Sequence, residues 1–180
     1  MLLLVFYGKG KGKTTAALGT VLRFLGYGGK VVVLQFMKSI DSGEYRLYRK
    51  LIECGFNIKW FCLGTNEFVS PYDLSNEVVS ITIAKSCGFL MHEYPKIAEQ
   101  LKPNLIIFDE LGLAAHLGLI PDDLVLSVLN VFPKNLETHA VVTGRYVPKY
   151  VRDMADLVTN CSEEKHYFRE GFVNIKGLDF

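Results

Sequence analysis

The sequence predicts an α/β fold, a doubly wound, mainly parallel sheet with helices on both faces. Two patterns carry that prediction. Short β-branched runs recur along the chain, and several are apolar almost without interruption, as strands covered on both faces are. Between them lie helix-prone segments bounded by glycine or proline, so strand and helix alternate. In such sheets, ligands gather at the carboxyl ends of the strands.

Strands are expected over Leu2–Tyr7, Lys30–Phe36, Asn57–Phe61, Leu105–Phe108, His139–Thr143 and Leu157–Thr159. The first helix, Lys13–Leu25, should end at Gly26, and the second, Gly43–Glu53, before Gly55. A long helical segment from Asn76 to Lys102 contains Pro95, which should kink or split it. Helices over Pro121–Asn130 and Pro148–Ala155 both begin on proline, favoured in a first helical turn. No repeat or linker interrupts the 180 residues. They read as a single domain, residues 1–180, large enough to bury about 70% of the unfolded surface.

The most telling segment lies between the first strand and the first helix: Gly8-Lys9-Gly10-Lys11-Gly12-Lys13-Thr14-Thr15. Its glycines let backbone N–H groups turn inward and an anion approach without a Cβ in the way. The helix that follows presents unpaired donors and a positive dipole end. Lys13 supplies a point charge for phosphate oxygens, and Thr14 a hydroxyl suited to Mg²⁺. This is a Walker A cradle for a nucleoside triphosphate, and it makes the predicted fold P-loop NTPase-like. The pattern G-x-x-x-x-G-K-[ST] would place its first glycine at position 7, which is Tyr7, so Gly8 is expected to take over that turn.

A second acidic signal closes the strand Leu105-Ile106-Ile107-Phe108, which runs into Asp109-Glu110. This is a Walker B pattern, in which a carboxylate holds Mg²⁺ directly or through water. Glu110 could also polarise a water for ATP hydrolysis. No Ser-His-Asp or second-acid arrangement points to covalent catalysis.

Composition narrows the partners. A net charge of +1, with 22% charged residues, argues against a general nucleic-acid binder. Cys54, Cys62, Cys87 and Cys161 are widely spaced and read as reduced thiols of a cytoplasmic protein rather than a disulfide framework or zinc site. The four histidines show no metal-ligand spacing. The opening apolar run lacks a basic flank and a cleavage site and turns at once into the phosphate loop, so it reads as a core strand rather than a signal peptide. No apolar stretch reaches the ~18 residues of a membrane span.

Several motifs together resemble the P-loop corrinoid adenosyltransferases, the ATP:cob(I)alamin and cob(I)yrinic acid a,c-diamide adenosyltransferases of cobalamin biosynthesis and salvage. They are Gly8-Lys-Gly-Lys-Gly-Lys-Thr-Thr-Ala-Ala17, Val33-Leu-Gln-Phe-Met-Lys38, Phe108-Asp-Glu-Leu111, Thr143-Gly-Arg145 and Ala155-Asp-Leu-Val-Thr159. Lys165-His166, Gly171, Gly177 and Leu178-Asp-Phe180 complete the resemblance, which spans nearly the whole chain.

The resemblance implies that Co(I) of a reduced corrinoid attacks the 5′-carbon of ATP and displaces triphosphate. It assigns the ATP phosphates to Gly8, Lys9, Gly10, Lys11, Gly12, Lys13, Thr14 and Thr15, with Lys13 and Glu110 as catalytic groups. Thr14 and Glu110 are the implied Mg²⁺ contacts, with Asp109 an acid standing behind them. Arg145 would reach the nucleotide or position the tail. In relatives, aromatic residues after the third strand press on the lower corrin face. Phe68 matches the first of these; Ser70 stands where relatives often carry tryptophan, with Tyr72 as a substitute. Tyr146, Tyr167 and Arg169 also depart from the family pattern. Lys165 and His166 match the tail motif without a role that their chemistry defines. A homodimer and an electron-donating flavoprotein partner are implied as well. The competing readings are a P-loop ATPase or kinase that cleaves at the γ-phosphate, yielding ADP, and a nucleotide-gated interaction module without turnover.

Overall fold

Alternate residues of a strand face opposite sides of a sheet, and here both sides are apolar. The computed structural model describes residues 1–38, 40, 42–65, 77–131, 137–173 and 175–179. Six strands, Leu3–Tyr7 (β1), Val31–Gln35 (β2), Ile58–Cys62 (β3), Leu105–Asp109 (β4), His139–Gly144 (β5) and Leu157–Asn160 (β6), form one sheet in the order β3-β2-β4-β5-β1-β6. Every pairing is parallel. All six expected strands are present within two residues of their expected limits, and the doubly wound α/β architecture follows from them.

On one face Val31, Val33, Leu105, Ile107 and Val141 meet the helix Lys13–Gly26 (α1), which buries Ala17, Val21 and Leu25. Their four-residue spacing lines one stripe of the helix. The helix Gly43–Glu53 (α2) lies on the same side, with Tyr45, Tyr48 and Leu51 packed around Trp60 of β3. It begins where Ser42 Oγ accepts the Tyr45 N–H at 3.2 Å, an N-cap that fixes its start.

The opposite face, with Leu3, Val5, Val32, Leu34, Ile106, Phe108, Ala140 and Val142, is covered by the remaining helices. These are Glu77–Gly88 (α3), Tyr94–Leu101 (α4), Leu111–His116 (α5), Asp122–Leu129 (α6) and Lys149–Met154 (α7). The segment around Pro95 is joined rather than split: a π-helical turn, Phe89–Glu93, links α3 to α4. A wider turn accommodates the hydrogen bond that a proline cannot donate, and Pro95 sits in the first turn of α4, where that loss is tolerated. Helix α5 was not expected. At six residues it is too short to show a period.

The sheet order decides the site. Strands β1 and β4, which carry the two phosphate-site motifs, are not neighbours; β5 lies between them and pairs with both. No helix among the described residues is long and apolar enough to cross a membrane.

Candidate active site

The phosphate loop begins where β1 ends. Gly8 adopts φ 120°, in the region closed to most side chains, and so makes the turn in place of the residue at position 7. The loop is held from behind by the chain leaving β6: Cys161 donates its N–H to the Tyr7 carbonyl at 2.6 Å and accepts the Gly10 N–H at 2.8 Å. That approach leaves no room at Gly10, where a Cβ would stand 2.6 Å from the Ser162 carbonyl oxygen. Gly12, also left-handed, is the N-cap of α1, so Lys13 and Thr14 occupy its first turn.

A buried hydrogen-bonded knot lies beneath this turn. Thr14 Oγ1 donates to Asp109 Oδ1 at 2.8 Å, and Thr143 Oγ1 donates to the same oxygen at 2.7 Å. The other carboxylate oxygen, Oδ2, accepts from Gln35 Nε2 at 3.1 Å and from Lys38 Nζ at 3.0 Å. Lys38 also donates to Thr14 Oγ1 at 3.1 Å. Asp109 is fully buried. Burial opposes its ionisation, but the Lys38 charge and the bonds from Thr143, Gln35 and Lys38 outweigh it and hold the carboxyl below the usual range. With four donors around it, Asp109 has little capacity left for a metal and instead orients the Thr14 hydroxyl.

Glu110 has the opposite character. Its backbone is left-handed, φ 63°, an uncommon conformation for a residue with a side chain. Its N–H donates to Thr143 Oγ1 at 2.9 Å, so β5 holds both acids. Among the described residues Glu110 Oε2 is buried without a hydrogen-bond partner. Burial, reinforced by the adjacent Asp109 charge, raises its pKa above the ordinary value. An unpaired carboxylate oxygen and the Thr14 hydroxyl, which line the same cleft, make an all-oxygen donor set that suits a hard divalent cation.

These groups open onto a cleft of about 630 Å³ walled by Lys11, Lys13, Thr14, Thr15, Lys38 and Glu110 at one end and by Leu18, Leu22, Leu47 and Trp60 at the other. Lys13 donates to the Gly10 carbonyl at 2.6 Å, and burial lowers its pKa. The tail closes the near side, where Gly177, Leu178 and Asp179 join the wall. Asp179 pairs with Lys11 at 2.6 Å, accepts from Tyr167 Oη and accepts the Ile175 N–H at 2.8 Å.

The structure therefore brings Lys11, Gly12, Lys13, Thr14, Thr15 and Glu110 to one cleft, with Asp109 buried behind Thr14 and Gly8 and Gly10 set against the chain leaving β6. Lys9 is exposed. Arg145 is exposed too, close enough for its charge to help lower the Lys13 pKa. His166 caps the 3₁₀ turn Tyr167–Glu170 by accepting the Phe168 N–H at 3.1 Å. Lys165 pairs with Glu170 at the surface, 3.2 Å away. Phe68, Ser70 and Tyr72 lie outside the described residues. Sequence reasoning gave no role to Lys38, Gln35, Thr143 or Asp179. Gln35 carried a usable signal, a polar side chain ending an otherwise apolar strand.

Fold and site define a nucleotide-binding α/β protein of the P-loop class. The chain belongs to the ATP:corrinoid adenosyltransferase family, since that family's profile, described as ATP:corrinoid adenosyltransferase BtuR/CobO/CobP, matches residues 1–180. It is 32% identical over 179 residues to a corrinoid adenosyltransferase of Pseudomonas aeruginosa, covering 99% of this chain and 83% of that protein. It is 30% identical over 180 residues to the corrinoid adenosyltransferase CobA of Salmonella typhimurium, covering 99% of this chain and 85% of that protein. Among solved structures, the flagellar accessory protein FlaH of Methanocaldococcus jannaschii superposes with a TM-score of 0.54 at 16% identity, over 88% of this chain and 70% of that one, a likeness of fold alone. Family membership carries the reaction class, ATP-dependent adenosyl transfer to a corrinoid.

Proposed function

We propose that this cleft grips the triphosphate of ATP and presents C5′ to Co(I) of a reduced corrinoid. The single observation that carries the reading is the Thr14–Asp109–Lys38 knot seated directly under the glycine turn. In the step, the Co(I) electron pair forms a Co–C5′ bond. The C5′–O bond breaks, and its electron pair leaves with inorganic triphosphate. Cobalt is itself the nucleophile, so no protein base need activate it. That suits a site in which Asp109 is already committed to its four donors.

The protein's own tasks are alignment and charge stabilisation. The loop N–H groups, Lys13 and Lys11 cradle the triphosphate, with Arg145 and Lys9 at its margin. Each charge pair at ~4 Å and an effective dielectric near 20 is worth about 4 kcal/mol before desolvation. Thr14 and Glu110 would hold Mg²⁺, with Asp109 behind Thr14; bound there, the cation offsets charge on the departing triphosphate. Phe68 and Tyr72 are assigned to the corrin face. The enzyme acts as a single nucleotide-binding domain over residues 1–180, as a homodimer in the cytoplasm, with a flavoprotein supplying the electron that produces Co(I).

The test is an anaerobic mixture of protein, Mg-ATP and chemically reduced cobalamin, followed by visible spectroscopy and analysis of the phosphate products. Loss of the Co(I) spectrum with stoichiometric triphosphate is expected. Persistent Co(I) with accumulating ADP would sink the proposal.

A further inference from the structure

Lys38 stands where a divalent cation would compete with it. The Thr14 hydroxyl spends its hydrogen on Asp109, which turns its lone pairs towards the cleft, and the Lys38 ammonium occupies one of them at 3.1 Å. The same ammonium reaches Asp109 Oδ2 at 3.0 Å. Its backbone is clamped for this purpose. Met37 is left-handed at φ 56°, Phe36 donates its N–H to the Asp109 carbonyl at 2.9 Å, and the Lys38 carbonyl accepts the Gly64 N–H at 3.2 Å. Two backbone hydrogen bonds and a strained residue thus aim one side chain at the metal seat. The Lys38 side chain nevertheless keeps 36% of its exposure, against 1% for Asp109, so the ammonium has a route out towards the cleft.

We propose that Lys38 is a resident counter-ion that neutralises the Asp109 knot in the nucleotide-free enzyme and makes divalent-metal binding at Thr14 and Glu110 conditional on the triphosphate. A metal at the Thr14 oxygen would sit within a few ångströms of the ammonium and be repelled by it. Phosphate oxygens supply the negative charge that lets both cations coexist, with Lys38 turning from Thr14 to the phosphates. The inference rests on reading the cleft as a metal-triphosphate site, and its readouts need neither corrinoid nor turnover.

The experiment compares wild type with Lys38→Met, nucleotide-free, by Mn²⁺ electron paramagnetic resonance and by thermal unfolding with and without Mn²⁺. Wild type should bind Mn²⁺ weakly, and its Tm should not respond to the metal. Lys38→Met should bind Mn²⁺ at least about tenfold more tightly, a change worth one decade in the equilibrium constant. Its metal-free Tm should fall by about 5–10 °C, because a buried carboxylate has lost its charge partner, and Mn²⁺ should restore most of that loss. Equal Mn²⁺ affinities, or a Tm loss that Mn²⁺ does not restore, overturn the proposal. Should Lys38→Met not fold, Lys38→Met combined with Asp109→Asn removes both charges. That double variant keeps Thr14 and Glu110 without the blocking ammonium, so it should fold and bind Mn²⁺ more tightly than wild type; a double variant that also fails to fold, or one with wild-type Mn²⁺ affinity, overturns the proposal as well. Failure of adenosyl transfer with these Mn²⁺ results intact would refute the proposed function and leave Lys38's role standing.

Discussion

Two lysine–aspartate pairs hold the phosphate loop, one from beneath and one from in front, and they differ in the opposite sense from their lengths. Lys11–Asp179 is the shorter, at 2.6 Å, yet both partners remain open to solvent. Lys38–Asp109 is longer, at 3.0 Å, but its carboxylate is buried and shares three further donors. Distance does not rank such pairs; burial does. An exposed pair is solvated whether or not it forms and contributes about 0–1 kcal/mol. Removing one partner of a buried pair strands a charge and costs about 3–5 kcal/mol. The lower pair is therefore the foundation of the loop, and the upper one a surface latch.

Asp109→Ala gives the sharpest separation. It should lower unfolding stability by about 3 kcal/mol in urea titration, because Thr143 and Gln35 lose a buried acceptor at about 1–3 kcal/mol each, and a loss under about 1 kcal/mol would erase the contrast. The pH dependence has a defined sign. Because the Asp109 pKa is depressed in the folded state, its contribution is present above the ordinary carboxylate value of 3.8 and is lost as pH falls through the depressed one. In Asp109→Asn that acid limb should flatten.

Lys13→Ala, which removes the loop's central ammonium, should cut kcat by about 10²–10³ with stability near wild type, as measured by single-turnover kinetics. Gly10→Ala should cost about 1–3 kcal/mol, since a methyl must push the Ser162 carbonyl aside, and the loss should show in both Tm and ATP affinity. Burial lowers the Lys13 pKa, so ATP binding, read by the fluorescence of Trp60 in the cleft wall, should weaken as pH rises through a value below 10.5, the ordinary one for lysine. The smallest effect belongs to the latch: Asp179→Ala should leave the midpoint of the same urea titration unchanged within error. A loss matching that of Asp109→Ala would show that the two pairs are equivalent after all.

The same contrast explains what the sequence revealed. The glycine loop and the acid-ended strand are contiguous, and each residue type states its chemistry, so the cradle was legible before any fold was known. The strands were equally plain, because burial on both faces leaves unbroken apolar runs. The knot was not legible, because it is assembled from the ends of separate elements. Gln35 ends β2, Asp109 ends β4, Thr143 lies near the end of β5, and Lys38 follows a turn after β2. Only the strand order, with β5 inserted between β1 and β4, brings Thr143 under Asp109. Asp179 is farther still, 168 residues from the lysine it meets. Helix α5 escaped for a local reason, its six residues falling short of two helical turns.

The central claim concerns which bond of ATP breaks, and ATP labelled with ¹⁸O at the bridge between C5′ and the α-phosphorus reads that directly. With reduced corrinoid and Mg²⁺ under anaerobic conditions, the label should leave in inorganic triphosphate, in step with the appearance of the cobalt–carbon product. Label retained in ADP, with the corrinoid unmodified, would contradict the account.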